Sequence, residues 1–165
     1  MYTLWLIPDK SAYKKLSKLI IDLSTTHDTP KFEPHVTLLS GITDSRSVAI
    51  QNTEKLAKNC SPISAALTRI EFLEFYYRCL FFCTSKSTEL MNVRSQAENL
   101  FEHTSISPFI PHVSFLYGSL PIFQKETIIA ELGDSFFMDF RMPKLRLVKT
   151  QRTPEYWEFI EEYDL

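Results

Sequence analysis

Two short stretches of this chain set a histidine beside a hydroxyl: Pro34-His35-Val36-Thr37 and Pro111-His112-Val113-Ser114. Each copy runs on to a glycine six residues past its histidine, Gly41 and Gly118. Alternate side chains of a strand share a face, so His35 and Thr37 would point one way and Val36 the other. His112, Ser114 and Val113 stand in the same relation. A lone strand histidine is more often a hydrogen-bonded structural residue; here two of only four histidines fall in a repeated tetrad. An imidazole can take or give a proton near neutral pH, and a hydroxyl can donate to an oxygen on which charge gathers. Two such pairs facing one another suit phosphodiester cleavage. One ring would take a proton from water and the other would protonate the departing alkoxide. A cyclic phosphodiester fits best, because ring strain helps and the leaving oxygen stays tethered. Which ring activates water depends on the side of phosphorus that the leaving oxygen faces.

The elements around the tetrads repeat as well. Residues 2–7 alternate and stop at Pro8, which predicts an opening strand. From Lys10 to Leu23, apolar residues recur at helical spacing. A polar loop over 25–31 then leads to the first motif strand, about 33–39. A second helix is expected over 45–58, with Val48, Ile50, Leu56 and Ala57 buried. Residues 63–73 and 78–84 read as a hairpin, and 87–101 as a third helix. After a Ser107-Pro108 loop comes the second motif strand, about 111–116, then a fourth helix over 122–131. Strands are expected at 135–140, 144–149 and 156–163. Each motif strand thus has a helix before it and another after it. The pattern implies an α+β, two-lobed, pseudo-duplicated fold, with antiparallel sheets flanking a central cleft and helices outside. The whole of 1–165 is expected to form one two-lobed domain.

Composition limits what this fold can serve. With 165 residues, 44% of them hydrophobic, there is enough chain for a sizeable core. The net charge of −2 gives no global attraction to nucleic acid or anionic membrane, so local groups must hold a phosphate. The basic stretch Arg141, Lys144, Arg146, Lys149 and Arg152 reads as an outer face balanced by Glu155, Glu158, Glu161 and Glu162. His27 and His103 read as solvated. Cys60, Cys79 and Cys83 lack zinc-ligand spacing and are expected to stay reduced in the cytoplasm, Cys79 and Cys83 as core packing. Neither a signal peptide nor a spanning segment is expected.

The doubled tetrad resembles the signature of the two-histidine phosphoesterases, and the chain looks most like their plant- and yeast-type cyclic phosphodiesterases. Leu4-Trp5-Leu6-Ile7-Pro8 is similar to that group's opening strand, and Phe32-Glu33-Pro34-His35 to its approach to the first motif. Arg78-Cys79-Leu80-Phe81 resembles its central strand. The run from Pro111 to Gly118 resembles its second motif, and Trp157 with Tyr163-Asp164-Leu165 its closing strand. Ser40 departs from the pattern, standing where a glycine is expected. The resemblance implies metal-independent hydrolysis of a cyclic phosphate with no cofactor, by His35 and His112 as acid and base. The substrate would be ADP-ribose 1″,2″-cyclic phosphate or a nucleoside 2′,3′-cyclic phosphate. It further implies that Thr37, Ser114, Tyr117 and Trp5 meet that substrate. No membrane or stable nucleic-acid partner is expected, and a monomer is. The alternatives are an RNA-end 2′,3′-cyclic phosphodiesterase or 2′–5′ ligase-like enzyme, and a phosphate-binding module without turnover.

Overall fold

A computed structural model describes residues 1–103 and 108–165. Along the chain run β1 (Tyr2–Ile7), α1 (Lys10–Thr26), β2 (Val36–Ile42), α2 (Arg46–Lys58) and β3 (Ile63–Glu71). One turn of helix (Tyr76–Arg78) leads to β4 (Leu80–Thr84), α3 (Thr88–Leu100), β5 (His112–Leu116) and α4 (Ile122–Leu132). The last third holds β6 (Met138–Met142), β7 (Lys144–Lys149), a second short turn (Pro154–Tyr156) and β8 (Glu158–Asp164).

The strands form one antiparallel sheet in the order β6-β3-β4-β5-β2-β1-β7-β8. Its two halves are related by the repeat: β2 lies beside β1 as β5 lies beside β4. The closing strands β7 and β8 return to the first half, whereas β6 completes the second. The two lobes expected from the repeat therefore meet edge to edge in a single sheet. Their junction is slight, for β2 and β5 share the one register pair Val36–Val113. Both valines have no exposed surface and belong to the main core. Across this junction α1 packs on β5 and α3 on β2. Leu4 and Leu6 of β1 point into the same core, while Trp5 and Ile7 join Val148 in a separate cluster. The motif histidines lie on this second face.

Helix starts follow local chemistry. Asp9 accepts from the Ser11 and Ala12 amides at 3.0 and 3.2 Å and caps α1, while Ser45 and Ser87 cap α2 and α3. The other Asp9 oxygen accepts from the Arg141 amide at 2.9 Å, tying α1 to the far half of the sheet.

Several boundaries differ from expectation, each for a local reason. Helix α1 runs past Leu23 to Thr26, its last turn closed by the His27 amide donating to the Leu23 carbonyl at 2.9 Å. The Thr25 and Thr26 hydroxyls bond back to the carbonyls of Ile21 and Asp22 at 2.7 and 2.9 Å. Strand β2 starts at Val36 rather than 33, since Pro34 has no amide for a ladder. Residues 135–137 fold back onto the end of α4, delaying β6. Tyr156 belongs to the turn before β8. On α2 the buried stripe is Ala49, Thr53, Leu56 and Ala57, while Val48 is 40% exposed and Ile50 half-buried. The Ser107-Pro108 loop falls partly outside the described residues.

Val36→Ala, which hollows out the junction, should lower unfolding free energy by about 2 kcal/mol. Val48→Ala should change it by less than about 0.5 kcal/mol. Denaturant midpoints measure both.

Candidate active site

The antiparallel register through Val36 and Val113 puts His35 and Ser114 to one side of that pair and Thr37 and His112 to the other. Each motif strand then bulges just after its hydroxyl. Between Trp5–Thr37 and Leu4–Leu39, β2 carries an extra residue against β1, and between Phe81–Ser114 and Leu80–Leu116, β5 does so against β4. The adjacent residues Leu38 and Leu39, and Phe115 and Leu116, are all fully buried and belong to one core, whereas a regular pleat would send the two members of each pair to opposite faces. A further irregularity in the β1–β2 pairing falls where Gly41 takes the left-handed φ of 79°, so Ser40 stays in the strand and is exposed.

The two imidazoles are held alike. His35 Nδ1 lies 2.7 Å from the Glu33 carbonyl and His112 Nδ1 lies 2.8 Å from the Ile110 carbonyl, each two residues back. A carbonyl can only accept, so Nδ1 carries the hydrogen in both rings. Nε2, on the opposite edge, is left for the cleft. Aromatic rings from the neighbouring strands support each imidazole. Trp5, in register with Thr37, stacks on His35 at 3.8 Å and 12°. Phe81, in register with Ser114, meets His112 edge-on at 5.2 Å.

Burial weakens both rings as bases, but unequally. His35 is pushed down to about 3, mainly by desolvation, with the charges of His112 and Arg146 acting the same way and the Glu33 carbonyl opposing. His112 is lowered by burial and by Arg78, against the Ile110 carbonyl.

A cavity of about 820 Å³ contains both tetrads, and its walls include Trp5, Tyr77, Arg78, Tyr117 and Trp157. The hydroxyls are less alike than the repeat implies. Ser114 Oγ donates to the Tyr77 carbonyl at 2.9 Å, whereas Thr37 is half-exposed at the cavity wall. Trp5 and Tyr117 line the cavity but are only 4% and 3% exposed. Trp5 spends one face on His35, and Tyr117 is stacked on Phe32 at 3.6 Å. Burial pushes the Tyr117 phenol far up, with the Ser114 hydroxyl beside it opposing, so it stays a neutral hydroxyl.

The basic stretch divides. Lys144 and Arg146 pair with Glu162, and Arg146 also reaches Glu33, whose carboxylate accepts from Tyr13 as well. Arg152 instead lines the cavity. His27 is half-exposed at the end of α1. His103 is not simply solvated: its Nδ1 is buried without a partner among the described residues, and its ring packs against Gly41. Among the described residues no cluster of three or more His, Cys, Asp or Glu is placed to hold a metal ion. No described helix is long and apolar enough to cross a membrane. Cys79 and Cys83 are buried, and all three cysteines are free.

Phe81, Tyr77, Arg78 and Trp157 were absent from the expected site. Phe81 had a readable signal, because Leu80-Phe81-Phe82 stands to the second motif strand as Leu4-Trp5-Leu6 stands to the first.

Residues 1–165 match the family described as cyclic phosphodiesterase-like protein. A cyclic phosphodiesterase of Arabidopsis thaliana is 26% identical over 170 residues, covering 97% of this chain and 92% of its own length. Among solved structures, TT0787 of Thermus thermophilus superposes with a TM-score of 0.63 at 12% identity, covering 99% of this chain and 97% of its own. Escherichia coli LigT, crystallised with 3′-AMP, gives 0.59 at 13% identity, with the same coverage of 99% and 97%. At these identities the two structures show a shared fold.

The depressed His35 pKa makes the unfolded chain the better proton binder between its ordinary 6.5 and about 3. Stability contributed by neutral His35 is full above that window and lost as pH falls through it. Unfolding free energy measured against pH should decline there, and His35→Gln should flatten the decline. By NMR, His112 should titrate above His35, and Trp5→Ala should raise the His35 value by admitting water.

Proposed function

The chain belongs to the cyclic phosphodiesterase-like family of two-histidine phosphoesterases, and we propose that its cleft hydrolyses a cyclic phosphodiester to a phosphomonoester without metal. The observation that carries this reading is the matched pair of rings, each with Nδ1–H donated to a carbonyl two residues back and Nε2 left for the cleft. Both tautomers are set for proton exchange at Nε2. One ring accepts the proton of the attacking water as the oxygen–phosphorus bond forms. The other, protonated, donates to the ribose oxygen as its bond to phosphorus breaks. Each transfer is typically worth about 10²–10⁴ in rate.

The proton for the second ring has to be recruited. Burial leaves both imidazoles neutral at pH 7, and an anionic phosphate between them restores a proton to one. Trp5 and Phe81 hold the rings in place while excluding water. Thr37 donates to a non-bridging oxygen as charge accumulates there. Ser114 does the same once it exchanges the Tyr77 carbonyl for phosphate. Tyr117 and the open wall of the cavity accommodate the sugar. The substrates that fit the reading are ADP-ribose 1″,2″-cyclic phosphate and nucleoside 2′,3′-cyclic phosphates, handled by a single two-lobed domain acting as a cytoplasmic monomer.

His35→Ala and His112→Ala should each cost at least about 10² in turnover while leaving the protein folded; a near-normal rate in either removes that ring from the mechanism. The profile of kcat/KM against pH reports groups of the free enzyme, where one ring must be protonated and the other not. Since both titrate on the acid side of 6.5, the profile should be bell-shaped with its maximum below pH 6.5, whichever ring is the base. A maximum above pH 7 contradicts this. Chelator should leave the rate unchanged. Activity rising with oligonucleotide length would favour an RNA-end enzyme, and tight binding of cyclic phosphates without turnover would favour a binding module.

A further inference from the structure

The cleft extends past the tetrads. Its walls continue along Phe75, Tyr76 and Arg78 on one side and Thr150, Gln151 and Arg152, between β7 and β8, on the other. At about 820 Å³ it lies in the upper part of the range of roughly 300–1,000 Å³ usual for small-ligand sites.

Three arginines line this space. Arg94 is occupied, giving Nε and Nη2 to Glu98 at 3.0 and 2.7 Å and Nη1 to the Leu38 carbonyl. Arg78 and Arg152 have no carboxylate partner among the described residues, and no described Asp or Glu lines the cavity. The segments carrying them are joined, since the Tyr77 hydroxyl donates to the Arg152 carbonyl. Arg152 adopts a left-handed φ of 55°, a conformation a non-glycine residue keeps only when its surroundings impose it. Its guanidinium lies over Tyr156, 5.6 Å from the ring centre. Beside these cations Phe75 is 68% exposed and Tyr76 38%, large apolar faces left open at the rim. Planar cations fork onto phosphate oxygens, and open aromatic faces stack bases.

We propose that Arg78 and Arg152 form a second anion subsite at the rim of the cleft. It takes a phosphate that the substrate carries beyond the cyclic one, and Phe75 and Tyr76 offer a stacking face to the base attached to it. The inference rests on the reading that the tetrads hold the cyclic phosphate. It makes the preferred substrate a cyclic phosphate with a further phosphate-linked nucleoside. That group is either the pyrophosphate-linked adenosine of an ADP-ribose or the neighbouring nucleotide of an RNA end.

The test compares Arg78→Gln, Arg152→Asn (which keeps the left-handed backbone accessible) and the charge-preserving Arg152→Lys with the native chain. Values of kcat/KM are measured for ADP-ribose 1″,2″-cyclic phosphate, a dinucleotide ending in a 2′,3′-cyclic phosphate and a nucleoside 2′,3′-cyclic phosphate. Taking ratios to the nucleoside substrate cancels any change at the histidines. The ratio for a substrate with the extra phosphate should fall about 10- to 100-fold in each neutral variant, chiefly through KM, with partial recovery in Arg152→Lys. A fall confined to the ADP-ribose substrate identifies the pyrophosphate as the ligand, and one confined to the dinucleotide identifies the RNA end. Unchanged ratios for both overturn the subsite. Calorimetry with ADP-ribose and with inorganic pyrophosphate separates this from the proposed reaction. If the native chain hydrolyses nothing but the neutral variants bind either probe at least tenfold more weakly, the subsite stands and the reaction falls. If hydrolysis is intact and binding of both probes is unaltered, the subsite falls alone.

Discussion

One pair of valines joins the two halves of the sheet. Among the described residues, Val36 and Val113 form the one register pair between β2 and β5, and each lies at the centre of its tetrad. A long ladder there would press the strands together over their whole length and leave no room between the histidines. A single buried pair, reinforced by α1 on β5 and α3 on β2, fixes the register while leaving the other face of the sheet open. Because strand side chains alternate, burying these valines also turns both imidazoles and both hydroxyls to that open face.

The same geometry sets the electrostatics. Rings this close to a core lose solvent, and each is lowered by it, His35 more than His112. The backbone compensates locally. Pro34 interrupts the ladder before β2, so the Glu33 carbonyl is available to His35, and the Ile110 carbonyl plays the same part before Pro111. The bulges after the hydroxyls bring Leu39 and Leu116 to the core side, beside Leu38 and Phe115. The Leu38 carbonyl takes Arg94. Repeated sequence thus becomes repeated bulges and repeated support as well as repeated chemistry.

Where the reading of the chain was accurate, the signal was local. Strands β1 and β7 have the limits expected for them, 2–7 and 144–149, and the helices expected from 45 and 87 begin there, capped by Ser45 and Ser87. His35, His112, Thr37 and Ser114 reached one cavity from two tetrapeptides. Element boundaries that shifted did so for local reasons, but where packing and exposure departed from expectation the deciding contact was distant in sequence. Val48 was expected inside because it is apolar, but the stripe on α2 is set by β7 and β8, contributed from the end of the chain. Trp5 lines the cavity, and nothing in the sequence indicated that one face of its ring lies flat on His35, 30 residues away along the chain. Arg152 stands in a run of basic residues but lies beyond the end of β7, where its carbonyl accepts from the Tyr77 hydroxyl.

The sequence by itself determined the kinds of group available, their spacing along each strand and the fact that they occur twice. Those follow from alternation and from local hydrogen bonding, which need only neighbouring residues. Tertiary structure decided how the copies differ. Which hydroxyl is tied to a carbonyl, which ring is more desolvated and which arginines lack a carboxylate among the described residues depend on strands and loops far apart in the chain. Desolvation and ion pairing are set by everything that surrounds a group in space, and a tetrapeptide contains none of its own surroundings.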